Sequence, residues 1–170
     1  MYTSLRFAEA CKKKGIKYII GCEFYVTDDY RVKKDQHADH LILLAKNKAG
    51  YINLVQMDSL AFVDGFYYRP RIDYNVLKDH AEGVICLSAC LAGRLPRLLM
   101  KGDYEGAKAF ALSMKEIYGE DFYLEIQDHG IPEQKQILPL IVRISRETGI
   151  PLVATNDVHY LRREDAEVQD

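Results

Sequence analysis

The fold class is decided by residues 84–100, VICLSACLAGRLPRLLM, where a strand leads directly into a helix. The apolar, β-branched residues 84–89 predict a buried strand, and residues 93–100 predict a helix. Cys90 lies between them, at the carboxyl end of the strand. Active residues of parallel α/β folds collect at the carboxyl ends of strands. This segment therefore predicts both a fold class and the place to look for a site.

Similar strand and helix patterns flank this segment along the chain. Further strands are predicted at residues 17–26, 40–46, 121–127 and 151–155, and helices at 2–14, 48–63, 73–77, 103–118, 130–147 and from 161 onward, with a loop at 27–39 and a turn at 69–73. Asp73 and Asp103 are predicted to cap their helices. Because strands mostly alternate with helices, we expect a single α/β domain with a parallel sheet or barrel and the helices outside it.

The composition excludes several classes of protein. A length of 170 residues suits one domain, and 48% hydrophobic residues suffice to bury a core. No apolar run approaches the roughly 20 residues of a membrane span, so no membrane partner is expected. With Lys+Arg 23, Asp+Glu 25 and a net charge of -2, the chain is not a strongly basic nucleic-acid binder. A pocket that acts on phosphates through metal ions is still compatible with this charge.

The four cysteines favour an intracellular setting. They are Cys11, Cys22, Cys86 and Cys90, and the N-terminal sequence has no secretory signal. A chain of this size does not need disulfides for stability, so we expect free thiols in a cytoplasmic protein.

Side chains that bind transition metals collect at the predicted strand ends. Glu23 lies in an apolar strand, His40 stands at the entrance of another, and Cys90 follows a third. Asp157 and His159 follow residues 151–155, and their spacing places them on one face if that strand continues. Carboxylate, imidazole and thiolate are the ligands that Zn²⁺ and its neighbours prefer.

Each of these residues also has an ordinary structural interpretation. Glu23 can be a solvated strand residue, His40 a core histidine bonded to the backbone, and Cys90 an unremarkable buried cysteine. Asp157 and His159 can cap the following helix. A cysteine nucleophile paired with a histidine is conceivable, but Ser88-Ala89-Cys90 lacks the G-x-S-x-G elbow of hydrolases, and nothing local supports a triad.

Longer phrases give the chain a family resemblance. They are CKKKGIKYIIGCEFYV, DHLILLAKNKAGYINL, GFYYRPRID, LSACLAGRLPRLL, GEDFYLEIQDHGIPEQ and IPLVATNDVHYLRREDAE. In this order they closely resemble the PHP (polymerase and histidinol phosphatase) domain at the N-terminus of bacterial DNA polymerase III α subunits. LSACLAG and ATNDVHYL are the most specific of these phrases.

The resemblance implies a distorted (β/α)7 barrel of the TIM-like kind, with a cluster of divalent metal ions (Zn, Mn or Fe) at its mouth. The ligands it assigns in this chain are Glu23, His40, Cys90, Asp157 and His159. His129, in the phrase QDHG, is placed at the edge of the pocket and not among the ligands.

Two motifs of the resembled family are missing from this chain. The H-x-H strand motif and the D-H-G-x-M-Y-G segment that follows it would supply further ligands, and the large polymerase regions are also absent. We therefore expect residues 1–170 to be a partial PHP domain, an incomplete barrel without its first strand or strands. Such a chain should bind metal weakly or partially, and it should self-associate to cover the strand edge that this leaves exposed.

The function that the resemblance implies is that of a domain in a DNA-directed DNA polymerase of bacterial DNA replication, a nucleotidyltransferase. The intact domain would be a metal-dependent phosphoesterase or a 3′–5′ proofreading exonuclease, and this chain alone should be inactive. Expected partners are DNA, through the parent polymerase, and other polymerase III subunits. Two alternatives stay open, a free-standing phosphatase such as a histidinol phosphatase and a non-catalytic interaction scaffold.

Overall fold

Strands and helices alternate along a computed structural model that describes residues 4–34 and 37–169. The strands are β1 (Gly21–Thr27), β2 (Asp39–Ala45), β3 (Arg71–Asp73), β4 (Val84–Leu87), β5 (Phe122–Ile126) and β6 (Leu152–Ala154). The helices are α1 (Ser4–Lys14), α2 (Lys48–Val63), α3 (Tyr74–Asp79), α4 (Arg94–Met100), α5 (Tyr104–Tyr118), α6 (Pro132–Thr148) and α7 (Ala166–Gln169), with 3₁₀ turns at Gly119–Asp121 and Arg163–Asp165. The predicted α/β class is confirmed.

The described strands form one open sheet in the order β3-β1-β2-β4-β5-β6. β1 pairs with β3, β4 with β5 and β5 with β6 in parallel, whereas β2 is antiparallel to both of its neighbours. The expectation of a parallel sheet is therefore wrong for β2. Its direction reverses because no helix crosses back between β1 and β2, so the chain returns along the strand it has just left. Among the described residues the sheet does not close on itself.

Several predicted boundaries shift. β1 begins at Gly21 and not at residue 17, and the apolar Ile16 and Ile19 before it are 61% and 60% exposed. Residues 71–73, predicted as part of a turn, form β3 beside β1. The predicted first helix is observed from Ser4, and residues 2 and 3 lie outside the described residues. The predicted helix after residue 161 is only a 3₁₀ turn followed by the short α7.

One face of the sheet is buried. Because side chains alternate across a strand, most of the buried apolar positions share that face: Phe24, Val26, Leu41, Leu43, Ile72, Val84, Cys86, Phe122 and Leu124. α2 contacts β1 to β4, α5 contacts β4 and β5, and α6 contacts β5. The opposite face carries Glu23, Tyr25 and His40, which are less buried.

The helix caps follow the sequence prediction. The Asp73 carboxylate accepts hydrogen bonds from two backbone N–H groups in the first turn of α3, and the Asp103 carboxylate accepts one from Gly106 in α5. Gly149, at φ 66°, ends α6 in the left-handed conformation that glycine adopts without steric cost. All four cysteines are free.

Candidate metal centre

The candidate ligands lie toward one edge of the sheet. β1, β3, β4, β5 and β6 run in the same direction, so their carboxyl ends lie at one edge. β2 runs the other way, and its first residues therefore reach that edge as well. His40 lies directly opposite Tyr25 in the β1–β2 ladder, and Glu23 precedes Tyr25 by two residues on the same face. The reversal of β2 thus places His40 beside the carboxylate of Glu23.

A tight turn after β4 positions Cys90. Ala89 has φ 66°, a left-handed conformation that redirects the backbone after the strand. The Gly93 N–H donates to the carbonyl of Cys90 at 2.8 Å, and a Cβ at Gly93 would lie 2.4 Å from the carbonyl oxygen of Ser88. The His40 N–H donates to the carbonyl of Ala92 at 3.1 Å. The phrase LSACLAG therefore builds a turn that requires glycine and that is attached to the start of β2.

Glu23, His40 and Cys90 form a compact group. One potential ligand atom from each lies within 4.8 Å of the others. His40 Nδ1 is 2.5 Å from Glu23 Oε1 and 3.8 Å from Cys90 Sγ. The side chains of His40 and Glu23 are 22% and 41% exposed, so the group is accessible from solvent.

The charges of this group are strongly coupled. Hydrogen bonds to the Cys90 sulfur and to the Glu23 carboxylate raise the pKa of His40 to about 10. The hydrogen bond from His40 lowers the pKa of Glu23, although partial burial opposes that shift. A positive charge is therefore stabilised between a carboxylate and a sulfur. A divalent cation would compete with the His40 proton for the same electron pairs.

The surroundings of His40 are aromatic and basic. The Tyr25 ring packs edge-on against the His40 ring with their centroids 4.9 Å apart, and the Arg69 guanidinium lies 5.0 Å from the centroid of the Tyr25 ring. On the other side, Arg97 forms a 3.0 Å ion pair with Asp39, the residue before His40. The Tyr25 ring therefore restrains the ring of His40, and the Arg69 guanidinium lies on the far side of Tyr25.

Asp157 and His159 lie beyond the end of β6. The strand stops at Ala154, so the premise that it continues through both residues is wrong. Asp157 has φ 45°, a left-handed conformation that aspartate tolerates better than most residues. The His159 imidazole is 2.8 Å from the Asp157 carbonyl oxygen and 4.0 Å from its carboxylate, and both side chains are exposed. In the described chain this pair does not join the three-residue group.

His129 lies at the same edge, after β5. Its side chain is exposed, and its Nδ1 lies 3.0 Å from Gln134 Nε2. It is likewise outside the compact group of ligand atoms. The structure therefore places His129, exposed, at the rim of the sheet.

The sequence analysis missed a buried polar group behind this rim. Glu125, Gln127, Gln134 and Thr155 hydrogen-bond to one another, and Glu125 is only 5% exposed. Glu125 sits in the apolar phrase FYLEI, just as Glu23 sits in an apolar strand. A buried carboxylate requires a donor or a cation, so the criterion that singled out Glu23 would also have found Glu125.

The donor set fits a transition metal. One imidazole, one carboxylate and one sulfur are ligands that Zn²⁺ accepts, whereas Mg²⁺ and Ca²⁺ select oxygen donors. The site also meets the requirement that the ligands come from rigid elements, because two of them lie in paired strands and the third follows a hydrogen-bonded turn.

The family model of the PHP domain matches residues 1–129, which include these three residues. The chain belongs to the PHP domain family. The DNA polymerase III subunit alpha of Treponema pallidum is 46% identical to this PHP chain over 176 residues and matches 100% of it. The subunits of the same name from Borreliella burgdorferi and Thermus aquaticus are 46% and 39% identical, again over 100% of the chain. The predicted family is confirmed.

The PHP chain spans 14% to 15% of the length of these relatives. Among its described residues, no helix is both long and apolar enough to cross a membrane.

Proposed function

We propose that this PHP chain contributes Glu23, His40, Cys90, Asp157 and His159 to a divalent-metal centre that hydrolyses phosphate esters. The observation that carries this proposal is the convergence of Glu23, His40 and Cys90. Three different metal-binding groups, from two strands and a turn, meet within 4.8 Å. Packing alone does not require a carboxylate, an imidazole and a sulfur to meet at the edge where α/β folds place their sites.

Asp157 and His159 are proposed to complete the site from the segment after β6. They lie at the same edge of the sheet, and the charge of His159 contributes to lowering the pKa of Glu23. Both are exposed and project from a segment without regular structure, so a modest rearrangement can bring them to a shared ion.

The bound ions, Zn²⁺, Mn²⁺ or Fe²⁺, would supply Lewis-acid activation of water and neutralise charge on the phosphate. The residues of the chain would supply the ligand atoms and the charges around the ions. Glu23 would offer a carboxylate oxygen and Cys90 a sulfur, and His40, held by Tyr25, would offer a neutral ring nitrogen once it has lost its proton. Arg69, near the cluster, provides a positive charge that favours an anionic substrate.

Residues 1–170 are further proposed to act as a PHP portion of a cytoplasmic bacterial DNA polymerase III alpha subunit. The full-length matches to subunits of that name support this. The substrate class is then DNA, the chemistry phosphodiester hydrolysis of the 3′–5′ exonuclease type, and the partners other polymerase III subunits. The open sheet is proposed to be part of a distorted (β/α)7 barrel. Because the H-x-H motif and the D-H-G-x-M-Y-G segment are absent from residues 1–170, this chain alone is expected to show little hydrolysis.

Zinc titration by calorimetry tests the metal site. We expect weak binding of about one ion or less per chain, reduced at least tenfold in Glu23→Gln. The matched control is Glu120→Gln, an exposed position in the 3₁₀ turn before β5. Equal affinity of the Glu23 variant and the wild type, or two tightly held ions per chain, would contradict the proposal.

Hydrolysis is tested separately with a 3′-mismatched primer and a generic phosphomonoester, in excess Mn²⁺ or Zn²⁺. The expectation is no appreciable turnover by this chain. Turnover that disappears in Asp157→Ala would show that the chain is active by itself, and a preference for the phosphomonoester would favour a free-standing phosphatase.

A further inference from the structure

A chain of hydrogen bonds runs from the buried carboxylate of Glu125 to the exposed ring of His129. Gln127 Nε2 donates to Glu125 Oε1 at 3.1 Å, and Gln134 Nε2 lies 3.4 Å from Gln127 Oε1. Gln134 Nε2 also lies 3.0 Å from Nδ1 of His129. Glu125 and Gln134 are each 5% exposed, so these two side chains are largely shielded from water. Each glutamine amide in this series has a donor end (the nitrogen) and an acceptor end (the oxygen). The partners at both ends of the series therefore fix which way each amide points.

The orientation of the Gln134 amide is fixed at the His129 end. The backbone N–H of His129 points at Gln134 Oε1 at 2.8 Å. A backbone N–H can only donate, so the atom facing it must be the amide oxygen. The amide nitrogen of Gln134 is then the atom that faces the His129 ring.

The Glu125 end requires the same orientation. Glu125 Oε1 also accepts a hydrogen bond from the Thr155 hydroxyl, and the oxygen of that hydroxyl accepts one from Gln127 Nε2 at 3.1 Å. Gln127 must therefore present its nitrogen to Glu125 and its oxygen to Gln134. Gln134 then donates from its nitrogen to the Gln127 oxygen, which agrees with the amide orientation assigned from the His129 backbone N–H.

This orientation determines where the ring proton of His129 lies. Because Gln134 donates to Nδ1, that nitrogen must carry a lone pair, and the proton of the neutral ring is on Nε2. Within the described part of the chain, Nε2 has no hydrogen-bond partner. A protonated Nε2 is a donor and cannot ligate a metal ion.

The position of the chain of hydrogen bonds connects it to the candidate metal centre. A small cavity of about 20 Å³, room for about one water molecule, is lined by Cys90, Glu125, Gln127 and Gln134 among others. Cys90 therefore lines the same cavity as three residues of the hydrogen-bonded series. β4 and β5 are neighbours in the sheet, so His129 lies one strand away from the Cys90 turn.

We propose that Gln134 is a positioning residue that keeps His129 in the Nε2–H tautomer, so that His129 donates a hydrogen bond to a phosphate oxygen and does not ligate metal. The phosphate contact rests on the proposed phosphoesterase function. The tautomer of His129 does not depend on that function, because it follows from the hydrogen bonds that Gln134 makes with His129 and Gln127.

The tautomer is read directly from the ring-nitrogen resonances of ¹⁵N-labelled chain by long-range ¹H–¹⁵N NMR, without metal. We expect wild-type His129 to be Nε2–H. In Gln134→Glu a carboxylate oxygen faces Nδ1, and the proton should move to Nδ1. Gln56→Glu, which adds the same charge on the exposed side of α2, should leave the wild-type pattern. An Nδ1–H ring in the wild type, or a ring that does not respond to Gln134→Glu, would overturn the inference.

The phosphate contact is tested with inorganic phosphate added to the zinc-loaded chain. His129→Leu removes the donor, whereas His129→Gln keeps an N–H near the position of Nε2. We expect His129→Leu to weaken phosphate binding several-fold, His129→Gln to restore most of it, and both to bind zinc like the wild type. Weaker zinc binding in both variants would make His129 a ligand, and unchanged phosphate binding would overturn the contact. Failure of the wild type to bind zinc would instead count against the proposed function and leave the tautomer result standing.

Discussion

The two faces of the sheet differ in what covers them. One face is packed against helices, and its residues are almost fully buried, as with Phe24 at 3% exposure. The other face carries Glu23 and His40, whose side chains are 41% and 22% exposed. Adjacent residues of β1 thus belong to different environments, because side chains alternate across a strand.

The two faces of the sheet have different roles, one in stability and the other in ion binding. The covered face supplies the apolar burial that holds the sheet together, and the open face holds the groups that can bind an ion. Substitutions at buried positions of the covered face should therefore change the free energy of unfolding, and substitutions at exposed positions of the open face should mainly change binding.

The largest effect is expected from adjacent substitutions in β5. Phe122 is fully buried, and Phe122→Ala should lower the free energy of unfolding by about 3–5 kcal/mol. Tyr123, on the other face, is partly exposed, so Tyr123→Ala should cost less than half as much. Urea denaturation followed by circular dichroism measures both, and equal losses would contradict the division between the faces.

A second effect on the covered side comes from a close approach of backbones. A Cβ at Gly50, near the start of α2, would lie 1.7 Å from the carbonyl oxygen of Gly83. Gly50→Ala should therefore destabilise the chain by about 2–3 kcal/mol, because one of the two segments must move. The same denaturation experiment measures it, and a loss below about 0.5 kcal/mol would show that α2 shifts without cost.

A smaller effect on stability is expected at the open face. Glu23→Gln removes a charge that is partly exposed and should change the free energy of unfolding by less than about 1 kcal/mol. Urea denaturation without metal checks this value. A loss of unfolding free energy as large as that of Phe122→Ala would mean that Glu23 stabilises the fold, and it would contradict the different roles of the two faces.

The smallest effect concerns a surface ion pair away from both faces. Lys108 and Arg143 lower the pKa of Glu147 to about 2 from its ordinary value of 4.5. The stabilising contribution of the ionised Glu147 carboxylate is therefore present above about pH 4.5 and is lost as the pH falls toward 2. The difference in melting temperature between wild type and Glu147→Gln should shrink over that range. Glu116→Gln, at an exposed position of α5, is the control, and a difference independent of pH would contradict the assignment.

Much of the fold follows from local sequence patterns. The apolar run of β4 and the aspartate caps of α3 and α5 each act within a few residues, and each prediction is confirmed. The direction of β2 and the pairing of β3 depend on long-range contacts. A three-residue strand such as β3 carries too little pattern to be separated from a turn.

The candidate site divides in the same way. Glu23 is selected as a carboxylate within an apolar strand, and His40 and Cys90 by their positions at strand ends; the fold brings the three together. The geometry of Asp157 and His159 was not predictable, because it depends on where β6 ends. The role of Gln134 was not predictable either, because it arises from amide hydrogen bonds between residues on different elements.

The central claim, that Glu23, His40 and Cys90 hold a divalent ion, is tested most directly by cobalt absorption spectroscopy. Co²⁺ bound through sulfur gives a near-ultraviolet charge-transfer band. We predict this band in the wild type and in Cys22→Ser, since Cys22 lies on the opposite face of β1 and burial raises its thiol pKa to about 11. We predict its loss in Cys90→Ser. A band that persists in Cys90→Ser, or no band in the wild type, would contradict the account.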